Sequence, residues 1–290
     1  MDATQFSYSP LALALAHVVL GVLVLVLAKY VKDWLSPYSL DQELTSHDNP
    51  AFGVAVAGYY AAVTIVYLGA GVGHPLPVDD GSFAVFAALG YNVAWATVGI
   101  LLLNLLRWVM DQTLVSELRT SNEVVANRNV AAGVLEASGY IAAGLVLGSA
   151  IRQPGGTVVT TAALFALGEV ALILIARLYQ RMSGYDVAGE IRGANLAAGL
   201  AFGMTLVAIA LLMVKATSGE FVDWGRNLSF FAFDTVAGVI LLRLLRWVTD
   251  LLLLPNASIP EEIVRDRNVN AGLIEGVLAI GIAAIILFLF

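Results

Sequence analysis

Arg128-Asn129-Val130-Ala131-Ala132-Gly133-Val134-Leu135-Glu136 returns almost unchanged as Arg267-Asn268-Val269-Asn270-Ala271-Gly272-Leu273-Ile274-Glu275. In both stretches a polar Arg-Asn pair opens a long apolar segment, and a Glu follows seven residues after the Asn. A carboxylate two helical turns inside an apolar run is costly in hydrocarbon and marks a position with a purpose. The reading therefore starts from a repeated helix opening with a buried acid inside it.

The surrounding chain sets the medium. Of its 290 residues 59% are hydrophobic and only 13% charged, against about 25% charged in an ordinary soluble domain. The apolar residues come in blocks of roughly twenty, the length that crosses about 30 Å of hydrocarbon as a helix. The chain reads as an all-α, multi-pass membrane protein whose main contact is the lipid bilayer. The net charge of −7 comes from short loops and gives no reason to expect nucleic acid. Without cysteine there is no disulfide, thiolate metal site or cysteine nucleophile. The opening Met1-Asp2-Ala3-Thr4-Gln5-Phe6 lacks the positive stretch of a secretory signal, so the first apolar block is expected to be retained.

Eight spans are predicted, at about Leu11–Lys32, Asn49–Gly71, Ser82–Met110, Asn129–Ala150, Thr157–Tyr179, Asn195–Val214, Leu228–Leu253 and Asn268–Phe290. Loops after odd spans are charged, and loops after even spans are rich in Gly and Pro. Of the fifteen Lys and Arg, twelve fall on the side of the charged loops and three on the other, Arg152, Lys215 and Arg226. An excess of Lys/Arg in short loops marks the cytoplasmic side, so both termini are expected outside. Lys29-Tyr30, Arg107-Trp108, Arg177-Leu178-Tyr179 and Arg246-Trp247 read as belt anchors at that interface, where aromatic rings and snorkelling cations settle.

Internal repetition organises everything else. Arg107-Trp108-Val109 matches Arg246-Trp247-Val248 at an offset of 139, and Glu123, Arg128, Asn129, Gly133 and Glu136 match Glu262, Arg267, Asn268, Gly272 and Glu275 at the same offset. Four spans separate the copies, so two halves, residues 1–150 and 151–290, are parallel repeats about an axis along the membrane normal. Every even span opens with Asn followed four residues later by Gly: Asn49/Gly53, Asn129/Gly133, Asn195/Gly199 and Asn268/Gly272. The chain is four copies of one helical hairpin. Asn suits the N-cap, where its oxygen accepts an orphan backbone N–H. Gly one turn on, beside Ala131, Ala132, Ala197 and Ala198, allows helices to approach closely. Such surfaces are also compatible with a homo-oligomer.

These motifs, the Asn-x-Ala-x-Gly start and the Arg-Asn-Val-x-Ala-Gly-x-x-Glu segment on paired hairpins, resemble the bacterial membrane proteins grouped as domain of unknown function 350. The resemblance covers the whole chain as two tandem four-span units. It implies an integral protein of the bacterial inner membrane and supplies no catalytic residues. Two even spans depart from the repeat, with Val56 and Phe202 at the place of the Glu.

Four acids lie within spans: Glu136, Glu169, Asp234 and Glu275. The three Glu residues each stand eight positions from an Arg of the charged side (Arg128, Arg177 and Arg267), a shared depth of about 12 Å. They are expected to face the bundle interior around one cavity, with Asp234 nearer the middle. Such acids serve either as stations for protons or cations or as polar glue, pairing with Arg243 or bonding Asn92, Asn104, Tyr91 or Trp95. Asp234 and Arg243 replace Trp95 and Asn104 of the first half. Arg243, about half a turn around the helix from Asp234, is expected to meet Glu275 or Glu169. His17, His47 and His74 show no metal-ligand spacing, and the acidic turn Asp79-Asp80-Gly81 reads as solvated. No nucleophile–base arrangement, phosphate loop or cofactor motif is present, so the expectation is not an enzyme. Two functions follow. One is an ion or small-solute channel or secondary transporter with Glu136 and Glu275 at its polar centre. The other is a non-transporting envelope scaffold that binds a cytoplasmic partner through Glu261, Glu262 and Arg265.

Overall fold

A computed structural model describes residues 10–73, 82–114, 120–217, 219–253 and 258–289; His74, Asp79, Asp80 and Gly81 lie outside them. Among the described residues eight long helices are apolar enough to cross a membrane. They are α1 (Pro10–Leu35), α2 (Pro50–Gly73), α3 (Ser82–Thr113), α5 (Val130–Arg152), α6 (Val158–Met182), α8 (Leu196–Thr217), α9 (Trp224–Leu253) and α11 (Val269–Leu289). Between them lie short helices before three of the four even spans: α4 (Thr120–Val125), α7 (Val187–Arg192) and α10 (Ile259–Val264). Before α2 the same place is taken by a π-helical turn, Gln42–Ser46. The protein is an all-α, multi-pass membrane protein of two tandem repeats.

The four even spans form one parallel row, α2–α5–α8–α11, each packed on the next. The odd spans cover it: α3 rests on α2 and α5, α6 on α5 and α8, α9 on α8 and α11, while α1 leans on α2 and α3. The central α5 and α8 are the most buried, and α1 and α9 the least. Outward faces carry Leu15, Val19, Phe83, Leu101, Phe233, Val236 and Phe288, all strongly exposed. In water so much contiguous apolar surface would drive association; in hydrocarbon it is the expected exterior.

The row is built from one repeated joint. In each copy the residue before the Asn has positive φ: Asp48 (47°), Arg128 (50°), Ala194 (56°) and Arg267 (48°). That left-handed turn costs a non-glycine residue about 1–2 kcal/mol. It is held by hydrogen bonds from the Asn backbone N–H to a carbonyl of the short helix: Glu43, Glu123, Glu190 or Glu262. The Asn oxygen then caps the long helix, accepting from Phe52 (3.2 Å), Ala132 (3.3 Å), Ala198 (3.3 Å) and Asn270 (3.1 Å) in the four copies. Its amide donates to the carboxylate of the same Glu, at 3.1, 3.1, 2.8 and 2.9 Å.

A second amide contact ties each copy to the next. Asn49 donates to Val124 O (3.0 Å), Asn129 to Ile191 O (2.7 Å) and Asn195 to Ile263 O (2.7 Å). Among the described residues Asn268, last in the row, has no such bond. The glycine one turn later sets how closely neighbours approach. A Cβ on Gly133 would lie 2.3 Å from Ala51 O, one on Gly199 2.8 Å from Ala131 O, and one on Gly272 2.3 Å from Ala197 O. On Gly53, first in the row, it would touch nothing nearer than Leu44 at 4.0 Å. The Asn/Gly start is thus a lattice of cap, clasp and close approach.

Candidate functional site

The charged end of the first half contains a buried cluster. Glu136 projects from α5, two turns after its Asn cap, and is 8% exposed. Its Oε1 lies 2.7 Å from Arg107 Nε of α3 and 4.0 Å from Lys32 Nζ of α1. Lys32, 2% exposed, donates to the Tyr140 hydroxyl at 2.8 Å. Its ammonium sits 4.8 Å from the centroids of both Tyr59 and Tyr140. A desolvated cation over aromatic faces gains roughly 2 kcal/mol, which helps offset its removal from water. Tyr59 is fixed in turn, donating to Ala28 O (3.1 Å) and accepting from Asn104 (3.3 Å). Arg107 Nη2 donates to the Ser121 hydroxyl.

Beside Glu136 is a cavity of about 30 Å³ lined by Arg107, Asp111, Thr120, Glu136, Tyr140 and apolar neighbours. That is room for about two waters, since each needs roughly 10–15 Å³ of such space. Arg107, Asp111 and Glu136 meet around it, with Lys32 close to Glu136 as a second cation. Sequence reasoning placed Arg107 in the interfacial belt and Lys32 at the cytoplasmic edge of the first span. The correction has a simple cause: α1 runs on to Leu35 and α3 to Thr113, so both cations stand inside their helices and face α5. Arg177 also has a structural role, donating to Thr113 O at 2.9 and 2.6 Å and tying α6 to the end of α3.

The second half carries the equivalent acid on α11. Glu275 is buried at 5% exposure, and its Oε1 accepts from the Tyr179 hydroxyl of α6 at 2.9 Å. Tyr179 stacks on Phe202, ring centroids 6.1 Å apart, and Phe202 holds the position in α8 that Glu136 and Glu275 hold in theirs. Counted from the clasping acid, eleven residues before Glu43 stands Lys32 and eleven before Glu190 stands Tyr179, so the hydroxyl takes the place of the ammonium. Glu136 and Glu275 enter on either side of α8, and the cavity at Glu136 is not lined by Glu275.

Glu169 is 4% exposed, and among the described residues neither of its carboxylate oxygens has a hydrogen-bond partner. It is not level with the other two Glu residues, as its spacing from Arg177 suggested. A Cβ on neighbouring Gly168 would lie 2.6 Å from Val146, seventeen residues and about 25 Å past the Asn129 cap. Tyr179, which reaches Glu275, is ten residues further along α6, or about 15 Å. The α6 helix therefore carries Glu169 deep into the span.

Two further candidates leave the polar core altogether. Asp234 is only half-buried on α9 and feels the charge of Lys215 rather than that of Arg243. Arg243 is exposed, and among the described residues no ion pair joins it to Glu275 or Glu169. Asn104 serves Tyr59, not a carboxylate, and Asn92 is fully buried with no partner among the described residues. No group of three or more His, Cys, Asp or Glu able to hold a metal occurs among the described residues. The helix-start residues Asn49, Asn129, Asn195 and Asn268 are accounted for by capping. The clasping Glu43 and Glu190 escaped sequence reasoning, although an acid five or six residues before each Asn was the available signal.

The comparisons accord with this architecture. A relative, the UPF0719 transmembrane protein of Aquifex aeolicus (strain VF5), is 21% identical over 258 residues, spanning 86% of this chain and 90% of that protein. No solved structure matches the chain at a significant level. The model of the family described as Domain of Unknown Function (DUF350) matches residues 6–151 and again 155–289. The two matches leave almost nothing of the chain uncovered, and with its four clasped hairpins the protein belongs to that family in two tandem copies.

Proposed function

We propose that the protein is a proton or small-cation permeation protein, a channel or secondary transporter, whose stations are Glu169, Glu275 and Glu136. One observation carries this reading: Glu169 is a fully enclosed carboxyl deep in a membrane span with no partner among the described residues. An isolated carboxylate is far too costly to leave bare in such a medium, so its neutralising partner comes from outside the chain, as a proton or small cation. Acids of this kind mark ion and proton pathways in membrane proteins. Glu275 and Glu136 stand nearer the charged end, where an ion would enter. The test is flux of protons, Na⁺ and K⁺ in reconstituted vesicles. Glu169→Gln should abolish it, and Glu136→Gln with Glu275→Gln should reduce it strongly. Wild-type flux in Glu169→Gln, or no flux above empty vesicles, refutes the reading.

A second reading, a scaffold for a cytoplasmic partner, draws on the ledge formed by the π-turn, α4, α7 and α10, which the Asn amides bond into one continuous edge. Glu262 is a structural clasp there, so the test uses charge reversal at exposed Glu261, Arg265 and Asp266. Unchanged recovery of bound protein counts against it. In both readings the ledge faces the cytoplasm of the bacterial inner membrane and the termini face out, from the excess of Lys/Arg at that end. The chain has no native cysteine, so single cysteines at Gly184 and Glu220 report the orientation. Labelling of Gly184Cys by an impermeant maleimide in intact cells would reverse it.

A further inference from the structure

A groove of about 500 Å³ opens between α6 and α9, floored by Thr205 and Ile209 of α8. Its walls are apolar, with Ile175 and Met182 on one side and Ile240 and Leu244 on the other, and it also takes in Tyr179, Arg243 and Trp247. Among the described residues Arg243 is the single cation in it. The groove exists because α6 and α9 sit on the row one step apart without packing closely along their lengths, whereas α1 and α3, the corresponding pair of the first half, do.

Arg243 has no hydrogen bond or ion pair among the described residues, in contrast to Arg107, which is matched by Glu136. At the equivalent place in the first half stands the neutral Asn104, satisfied by Tyr59. Arg243 is also one turn, about 6 Å, further into the span than Trp247. Its Cα–Cβ bond tilts back along α9 toward that helix's start, away from the charged end. A guanidinium at that depth needs an anion. It is a planar fork of donors well matched to phosphate.

We propose that this groove is a binding site for one anionic membrane phospholipid, its phosphate on Arg243 and an acyl chain along the α8 floor. The surrounding bilayer supplies a molecule with both required parts, an apolar chain and an anionic head. The volume falls in the range of small-molecule sites, about 300–1,000 Å³, and basic pockets between membrane helices are used for such headgroups elsewhere. The bound chain would lie against Tyr179, whose hydroxyl holds Glu275, so occupancy would stiffen that contact. The site stands whether or not ions cross the protein.

The experiment counts lipids retained by the purified chain in native mass spectrometry after incubation with phosphatidylglycerol or phosphatidylcholine. Wild type should keep one phosphatidylglycerol in preference. Arg243→Gln should lower its retention about fivefold, the effect of one basic residue near a lipid surface. Arg243→Lys should keep most of it, and Arg226→Gln, at the opposite end of α9, should change nothing. A benzoylphenylalanine at Ile240 should cross-link to phospholipid. Equal retention of the two lipids, unaltered retention in Arg243→Gln, or cross-linking of Ile240 to a second copy of the chain overturns the proposal.

Discussion

The lattice of the even row makes a graded prediction at four sequence-equivalent glycines. Each of Gly53, Gly133, Gly199 and Gly272 is replaced singly by Ala. In an isolated helix the change favours folding by about 1 kcal/mol, since Ala is the better helix former. Against this stands the space at each site. The new Cβ would lie 2.3 Å from a backbone oxygen at Gly133 and Gly272, 2.8 Å at Gly199, and 4.0 Å from a flexible leucine at Gly53, where ordinary contact begins at 3.4 Å. Relief at Gly133 or Gly272 requires neighbouring spans to part by about an ångström, because the obstacle is backbone and cannot rotate away. Overpacking of this kind costs about 1–3 kcal/mol. The expected order is loss of stability at Gly133 and Gly272, a smaller loss at Gly199, and no loss or a slight gain at Gly53. Thermal unfolding in detergent, with denaturant titration of the same variants, gives the comparison. Equal effects at all four positions, or Gly53→Ala as damaging as Gly133→Ala, would refute the close-approach account.

Other consequences can be checked in the same assay. Glu136→Gln leaves Lys32 and Arg107 without their shared carboxylate and should cost about 3–5 kcal/mol. The double variant Lys32→Met/Glu136→Gln should then lose less than the sum of the two single changes, with a coupling of about 0.5–3 kcal/mol. Asn195→Ala removes a cap, a clasp and a bond to the next copy, and should cost about 1–3 kcal/mol. Asn268→Ala, without the last of these, should cost less, and equal losses would argue against the inter-copy bond. Burial pushes the Glu43 carboxyl up, but the hydrogen bonds from Asn49 and His47 outweigh it and hold it below the usual carboxylate range. Its contribution is therefore complete above the ordinary value, about 4.3, and is lost as the pH falls through the lower folded value. In thermal melts against pH, Glu43→Gln should remove that part of the acid dependence, and an unchanged acid limb would count against the clasp.

What the sequence determined by itself is whatever depends on neighbours along the chain. Length and composition of the apolar blocks fixed eight membrane helices, because a backbone in hydrocarbon has to satisfy its own hydrogen bonds. The recurring Asn and Gly fixed four equivalent helix starts, since capping and small size act within one turn. The tertiary structure alone decided which way each helix turns about its axis and how the odd spans lie on the even row. That rotation carried Lys32 and Arg107 inward onto Glu136 and left Arg243 facing an open groove. The placement of α6 against α5 and α8 moved Glu169 away from the level of Glu136 that its spacing from Arg177 implied. Equal spacing along one helix gives depth only if neighbouring helices are in register, and register is set by packing between residues far apart in the chain. Packing likewise decided which side chain each odd helix brings to the repeated acid: α1 brings Lys32 to Glu136, and α6 brings Tyr179 to Glu275.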